Sequence, residues 1–289
     1  MYFSVIVPTY REREKLYSLL EALAEQSFNA YPWEVIIVNN DPESCLSISQ
    51  NLFFPFKILN ELQPGSYHAR NKGIVAAKGE IIAFIDSDCA PDANWLSNAW
   101  KFFSKDFKKE IGILTGPVPL FFKDPKSLSD AEVYEKYTGF TTEAYAKEGH
   151  AITANWFSPA SVIKEFGGFN GKLKSNGDSE LSGRISKKYR IVYSPSLIVH
   201  HPARYLTEEL VNKYKRLMGG TFARRFEGRN LAFLKYVLDF IFRRYRFFIK
   251  RLFTLPLKES MALWRVCNAI NYGVMQEYFN LINGGETKR

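Results

Sequence analysis

The sequence has few features of a secreted, disulfide-bonded or membrane-spanning protein. Its three cysteines, Cys45, Cys89 and Cys267, are too few and too far apart for a disulfide framework or a zinc spacing. No run of 18 apolar residues is long enough to span a bilayer. The segment Met1–Val7 lacks a basic start and is predicted to be a first strand, not a signal peptide. These absences favour a cytoplasmic, reducing location.

The composition also lacks the signs of a disordered or repetitive chain. Apolar residues make up 46% and aromatic residues 16% of the 289 residues, enough for a packed core. Charge is unevenly distributed, because residues 203–265 hold 15 Lys and Arg against 5 Asp and Glu. Residues 1–202 have a net charge of −1, so the net charge of +9 comes from one C-terminal segment. That segment is treated as a separate region.

The first hundred residues alternate between short apolar runs and segments with helical spacing. This pattern predicts an α/β fold with a mostly parallel central sheet, and it loosens after about residue 105. The predicted strands are Phe3–Val7, Trp33–Val38, Phe56–Leu59, Ile81–Ile85, Ile111–Thr115, Val118–Phe122, Ile191–Tyr193 and Leu197–His200. The predicted helices are Glu12–Gln26, Ser66–Ala77, a helix capped by Asp92 and reaching Phe103, Asp130–Lys147, and one opening at Asn176-Gly177-Asp178 and reaching Lys188.

Two carboxylates follow the most apolar of these strands. Ile81–Ile85 leads directly into Asp86 and Asp88, which are one residue apart. In open α/β sheets, ligands bind at the edge where such strands end. Oxygen ligands suit a hard cation, Mn²⁺ or Mg²⁺, which can hold a diphosphate. Alone, the two acids could equally begin a loop or cap a helix.

Polar residues also follow the first two strands and begin the helix before the acidic strand. Tyr10 could stack on a nucleobase, although an ordinary strand exit has the same appearance. Asn39-Asn40-Asp41 could read a base or a ribose, or could form a turn. Arg70 could face a nucleotide or lie on the helix surface.

Together these segments resemble the family 2 inverting glycosyltransferases of the GT-A fold. The segments are VIVPTY, VIIVNND, ARNKGIVAAKGEIIAFIDSDCAPDANWL, ANW and GGFNGKLKSNGDSEL, and they occur in the family's order over residues 1–202. The resemblance implies a nucleotide-diphospho-sugar donor, expected to be UDP-linked, a divalent metal and inversion at the anomeric carbon. It also implies donor contacts by Pro8, Thr9, Tyr10, Glu12, Asn40, Arg70, Asp86 and Asp88, with Asp88 as a metal ligand.

Asp178 matches the acid that serves as the family's catalytic base, and Glu180 follows in register as an acceptor residue. An inverting reaction needs one base to take the acceptor's proton, and a carboxylate on a turn can do this. Asp178 could instead cap the following helix, or serve both purposes. The sequence departs from the family at Asn39–Pro42, where an Asp-Asp-Gly-Ser is usual, and at Gly177, where a Glu is usual.

Two histidines and a tryptophan remain as candidates. His201 is preferred to His200 as a metal ligand beside Asp88, because family members often have a His at this point. The alternative is a pair of histidines without a metal. Asn155 and Trp156 are assigned to the acceptor site, although a buried core tryptophan fits the sequence equally well.

From Leu231 the apolar residues recur at alternating intervals of three and four, with Lys and Arg between them. An amphipathic basic helix of this kind suits an anionic membrane surface, and region 231–257 is assigned to that role. The same pattern fits a helix that packs on the protein or on a second subunit. No nucleic-acid-binding signature supports a nucleic-acid partner. The stripe comprises Leu231, Leu234, Leu238, Ile241, Tyr245, Phe248 and Leu252.

The sequence therefore predicts a metal-dependent inverting glycosyltransferase, peripheral on the cytoplasmic face of a membrane. It would transfer sugar to a glycan or lipid-linked acceptor in surface polysaccharide or glycolipid synthesis, and it could form a homo-oligomer. The alternative is a non-catalytic GT-A scaffold that binds nucleotide or glycan. The catalytic domain is assigned to residues 1–202, with a nucleotide-binding half at about 1–105, an acceptor half at about 106–202, and a helical basic region over 203–289.

Overall fold

A computed structural model describes residues 1–44, 46–48 and 52–287. Cys89 and Cys267 are free, buried thiols, whereas Cys45 lies outside the described residues. The chain divides into two compact units. Unit 1 comprises Met1–Pro119, Phe140–Lys172 and Gly177–His201, and unit 2 comprises Leu120–Gly139, Leu173–Asn176 and Pro202–Arg289. The main segment of unit 2 thus begins at the end of the predicted catalytic domain, but two earlier segments also belong to it.

Unit 1 is built on a seven-stranded sheet of order β3-β2-β1-β4-β8-β6-β9. Strands β1, β2, β3 and β4 are parallel, and only β8 runs against its neighbours β4 and β6. The predicted mostly parallel sheet is therefore confirmed. Its strands are β1 Phe3–Thr9, β2 Trp33–Asn39, β3 Phe56–Asn60, β4 Ile81–Phe84, β6 Ile111–Thr115, β8 Trp156–Pro159 and β9 Arg190–Tyr193. Three short strands lie outside this sheet: β5 Ala90–Pro91, β7 Leu120–Phe121 and β10 Val199–Pro202.

Helices cover the sheet of unit 1 and form most of unit 2. Unit 1 contains α1 Arg13–Ala24, α2 Ser66–Ala76, α3 Trp95–Phe103, α5 Thr142–Lys147, α6 Ala160–Glu165 and α7 Gly177–Ile185. Unit 2 contains α4 Asp130–Thr138, α8 Thr207–Arg225, α9 Asn230–Leu252 and α10 Leu257–Ile282. No helix among the described residues is long and apolar enough to cross a membrane.

Three predicted elements differ from the observed ones. The helix predicted over Asp130–Lys147 is two helices, because α4 ends at Gly139, whose ψ of −172° does not continue a helix. The strand predicted over Val118–Phe122 is limited to β7. Asp92 does not cap α3, because the helix begins at Trp95 and Asn94 is the residue at its N-cap.

The core of unit 1 lies between the sheet and its helices. Leu16, Leu19, Leu20 and Leu23 form the inward face of α1, as their spacing predicts, and pack with β1 and β2. Both strands are buried on both faces, which explains their continuous apolar sequences. This packing fixes the carboxyl ends of the central strands.

Unit 2 has its own core, in which α4, α8, α9 and α10 pack together. The apolar stripe predicted on α9 packs inward only in part, through Leu234, Ile241 and Phe248. Phe233 and Val237 are fully buried, whereas Leu231, Leu238 and Leu252 of the predicted stripe are exposed. The helix has two adjacent apolar faces. The face with more aromatic residues, which includes Phe233, Phe240 and Phe247, packs inward.

Candidate active site

An open cleft lies where β1 and β2 end. It has a volume of about 550 Å³, within the range of small-molecule sites. The chain order reverses between β1 and β4, on the other side of β1, and open α/β sheets bind ligands at such a position. The lining residues include Thr9, Arg11, Glu12, Lys15, Asn39 and Asp41.

An ion pair that the sequence did not reveal lies in this cleft. Arg11 Nε donates to Asp41 Oδ2 at 3.0 Å, and Asp41 is buried. The hydrogen bond from Arg11 lowers the pKa of Asp41, so the cleft contains an ionised carboxylate. Arg11 has a φ of 57°, which is uncommon for a residue with a side chain and is a local mark of a constrained site.

Asn40, the predicted base contact, is committed to a neighbouring loop. Its amide nitrogen donates to the carbonyl oxygens of Glu61 and Gln63 at 2.9 and 2.8 Å. Its amide oxygen accepts from Gly65 N at 2.7 Å. This placement does not support a base contact by Asn40, whereas the neighbouring Asp41 lines the cleft.

The other predicted donor residues lie near the same edge. Pro8 and Thr9 are buried at the end of β1, and Tyr10 is 53% exposed with the Arg11 guanidinium 5.0 Å from its ring centre. Glu12 pairs with Lys15 at 2.7 Å. The exposed ring of Tyr10 is free to stack on a flat ligand.

Arg70 connects α2 to the end of β4. It is 4% exposed, and its Nη2 donates to Asp86 Oδ1 at 2.5 Å. Its buried Nε has no hydrogen-bond partner among the described residues. Burying a guanidinium is costly unless it is paired, so Arg70 and Asp86 stabilise each other in one geometry.

Asp88 and His201, the two predicted metal ligands, lie side by side. His201 Nε2 lies 3.8 Å from Asp88 Oδ1, and the Cys89 sulfur completes a group whose ligand atoms are all within 4.8 Å of one another. Burial, with the nearby carboxylates Asp86 and Glu12, raises the pKa of Asp88, whereas His201 lowers it. A carboxylate oxygen and an imidazole nitrogen at this separation fit a divalent cation between them.

The two histidines have different environments. His201 is buried and its ring lies edge-on to Phe140 at 5.2 Å. His200 instead faces Asp92, with Nε2 3.1 Å from Oδ1. Of the two, only His201 lies beside Asp88.

Asp178 lies in the first turn of α7, on the same side of unit 1. Its Oδ1 accepts from Ser179 N at 2.9 Å. Burial raises the pKa of Asp178, the charge of Arg70 lowers it, and the charge of Asp86 raises it. Asp86 raises the pKa of Asp88 as well. The charge of Asp86 therefore acts on both Asp88 and Asp178, and Arg70, which pairs with Asp86, also acts on Asp178.

Tyr67 explains why a glycine precedes Asp178. The Tyr67 hydroxyl accepts from Gly177 N at 2.8 Å. A Cβ at position 177 would lie 2.7 Å from the Tyr67 ring, closer than any normal contact. Tyr67 thus fills the space that a side chain at 177 would need, and its hydroxyl fixes the turn that presents Asp178.

We expect Gly177→Ala to lower the free energy of unfolding by about 1–3 kcal/mol, because Tyr67 is buried and cannot move aside. Urea denaturation measures the change. Gly183→Ala, in the same helix, is the matched control, because its Cβ would meet only His150 at 3.4 Å. Equal stability of the two variants would contradict the steric argument.

The three predicted acceptor residues differ in how accessible they are to a ligand. Asn155 and Trp156 are fully buried. The Asn155 amide donates to the carbonyls of Pro117 and Leu197, and the Trp156 indole donates to Ser158 Oγ. Because no acceptor can reach them in this conformation, the predicted contact is not supported, and both have a structural role. Glu180 is half-buried and forms a two-bond ion pair with Arg184.

The sequence matches known glycosyltransferases. The profile described as "Glycosyl transferase family 2" matches residues 4–165, more than half of the chain. Glycosyltransferase AglE of Haloferax volcanii is 29% identical over 221 residues, which cover 74% of this chain and 71% of that protein.

Two solved structures share the fold. The mannosyltransferase PcManGT from Pyrobaculum calidifontis, in complex with GDP-Man and Mn²⁺, has a TM-score of 0.64 and 17% identity, covering 97% of this chain and 86% of that chain. TarS 1–349 of S. aureus, in complex with UDP-GlcNAc, has a TM-score of 0.54 and 17% identity, covering 99% of this chain and 93% of that chain. At these identities the likeness shows the fold.

Proposed function

The chain belongs to glycosyl transferase family 2 and is a glycosyltransferase, and we propose that it is metal-dependent and inverting. We propose further that it transfers a sugar from a nucleotide-diphospho-sugar to a glycan or a lipid-linked acceptor in surface polysaccharide or glycolipid synthesis. With a lipid-linked acceptor, it would work as a peripheral protein on the cytoplasmic face of a membrane. Solved relatives contain either GDP-Man or UDP-GlcNAc, so both bases are candidates.

The observation that carries the proposal is the position of His201 Nε2, 3.8 Å from Asp88 Oδ1. The charge of Asp86 acts on both Asp88 and Asp178. A glycoside hydrolase would place two carboxylates on either side of the sugar. Here one carboxylate lies with an imidazole, and the other lies at the start of a separate helix. This separation of roles suits transfer.

Each residue has a role in the proposed reaction. Asp88 and His201 would hold Mn²⁺ or Mg²⁺, which supplies positive charge to stabilise the departing diphosphate. Asp178 would accept the proton of the acceptor hydroxyl as its oxygen attacks the anomeric carbon. Arg70 holds Asp86, and Tyr67 holds the turn before Asp178. Asp41 and Thr9 line the cleft, and the exposed ring of Tyr10 follows Thr9, so this part of the site suits a nucleoside.

A thermal-shift experiment tests donor binding directly. We expect UDP or GDP together with Mn²⁺ to raise the melting temperature more than either component alone. At a nucleotide concentration about 100 times its Kd, the stabilisation is about 2.7 kcal/mol. Adenosine diphosphate with Mn²⁺ is the control. A shift that is the same with and without Mn²⁺ would contradict metal-dependent binding, and turnover of the bound nucleotide's sugars then tests catalysis.

A further inference from the structure

An exposed apolar stripe runs along α9. It follows helical spacing of seven and four, so its members lie on one side of the helix. At 1.5 Å per residue the stripe is roughly 33 Å long. Several large apolar side chains exposed along one side of a helix are a candidate interaction surface. The stripe comprises Leu231, Leu238, Phe242, Ile249 and Phe253, and Phe253 is 82% exposed.

The stripe broadens at the turn between α9 and α10. Tyr245 Oη donates to Asn268 Oδ1 at 2.8 Å, which holds the two helices side by side at that level. Residues 245–268, between these two partners, are called the hairpin tip. Besides Ile249 and Phe253, the tip exposes four more large apolar side chains, Leu252, Leu257, Met261 and Trp264.

The hairpin tip is also strongly basic. It contains five Lys and Arg residues and one acid, Glu259. Glu259 is engaged with Lys136 and Tyr137. Within the described part of the chain, no carboxylate forms an ion pair with Arg246, Lys250 or Lys258, and all three are exposed. The tip therefore combines apolar and aromatic side chains with uncompensated positive charge.

We propose that the hairpin tip docks on a membrane surface that contains anionic lipid. Apolar side chains would enter the boundary between headgroups and acyl chains, and the cations would face the anionic headgroups. Trp264 suits this boundary because its ring is apolar and its indole N–H can face water, and Phe253 suits the apolar side of it. This inference rests on the proposed function, because docking on a membrane would bring the enzyme to a lipid-linked acceptor.

Vesicle co-sedimentation of the full chain, without nucleotide, tests the proposal. We expect at least tenfold tighter binding to phosphatidylcholine vesicles with one third phosphatidylglycerol than to phosphatidylcholine alone. Each cation near the surface contributes about fivefold. Lys250→Gln with Lys258→Gln should therefore weaken binding to the anionic vesicles by about 25-fold, and Phe253→Ser should weaken binding to both kinds.

A matched patch on unit 1 supplies the controls. Lys105, Phe107 and Lys108 are all exposed, and Phe107 is 89% exposed. Two control variants, the single variant Phe107→Ser and the double variant Lys105→Gln with Lys108→Gln, should bind vesicles like the unchanged protein. Equal binding by hairpin-tip and control variants would overturn the proposal. The absence of vesicle binding would also overturn the proposal. A dimer that light scattering detects, and that Phe253→Ser but not the controls disrupts, would overturn it as well and would instead assign the surface to a second copy of the chain. Because no donor is present, failure of the transferase proposal would leave the vesicle result unchanged.

Discussion

Asp178→Asn is expected to reduce the rate of sugar transfer by about 10²- to 10⁴-fold, the usual contribution of a positioned general base. The amide keeps the size of the carboxylate and its acceptor oxygen for Ser179 N. It cannot accept the proton of an attacking hydroxyl. The measurement is steady-state transfer with the donor identified by thermal shift, and Asp124→Asn, an exposed site in unit 2, is the control.

The pH profile gives a second view of Asp178. Because burial raises its pKa above the ordinary 3.8, the acid side of the activity profile should lie at a higher pH than an ordinary aspartate would give. Because the pKa of Asp178 is higher in the folded state than in the unfolded state, protonation of Asp178 favours folding. This contribution to stability is complete at pH values below the pKa of the unfolded state. That contribution is lost as pH rises through the folded pKa.

Stability should therefore separate chemistry from folding. At neutral pH, Asp178→Asn removes a partly desolvated charge, and it should leave the melting temperature unchanged or raise it. An inactive variant that is as stable as the unchanged protein would support a catalytic role. An active variant would overturn the assignment of the base, and a clearly destabilised one would show that Asp178 is needed for folding.

Asp88→Ala is expected to abolish the Mn²⁺-dependent part of nucleotide binding and to lower transfer by about 10³-fold. The estimate follows from the several kcal/mol of charge stabilisation that a bound cation supplies. Thermal shifts with nucleotide, with and without Mn²⁺, measure the first effect. Asp92→Asn is the matched comparison, because Asp92 faces His200 rather than His201.

The outcome can also distinguish the two histidines. If His201 is the ligand, His201→Ala should reproduce the loss of Mn²⁺ dependence seen in Asp88→Ala, and His200→Ala should not. The reverse pattern would move the metal toward Asp92. Retained Mn²⁺ dependence in Asp88→Ala would show that the cation is held elsewhere.

Much of unit 1 could be predicted from the sequence because its signals are local. Buried strands such as Ile81–Phe84 appear as short apolar runs, and α1 shows its leucine face directly. The GT-A fold and the enzyme class are confirmed by the comparisons. The choice of which side chains of α9 pack inward depends on tertiary contacts, which periodicity does not reveal. The break at Gly139 has a local signal, because glycine commonly follows the end of a helix.

The site was harder to predict because several roles depend on contacts distant in sequence. The carboxylates at the end of β4 were visible, since two acids after an apolar strand are a local signal. Tyr67 was missed because its partner, Gly177, lies 110 residues away. Asn155 and Trp156 were assigned to the acceptor site, since only packing shows that they are buried. Asn40 and Asp41 are neighbours in sequence, but only one of them lines the cleft.

The thiol of Cys89, 3.9 Å from Asp88 Oδ1, bears on metal selectivity. Burial raises its pKa well above the ordinary value, so at neutral pH it carries a proton and is a poor ligand for Mn²⁺ or Mg²⁺. A thiophilic ion, Zn²⁺ or Cd²⁺, can displace that proton and use oxygen, nitrogen and sulfur together. Trace amounts of such ions should act as tight inhibitors that excess Mn²⁺ reverses slowly. Replacing Cys89 with serine should relieve the inhibition and preserve transfer.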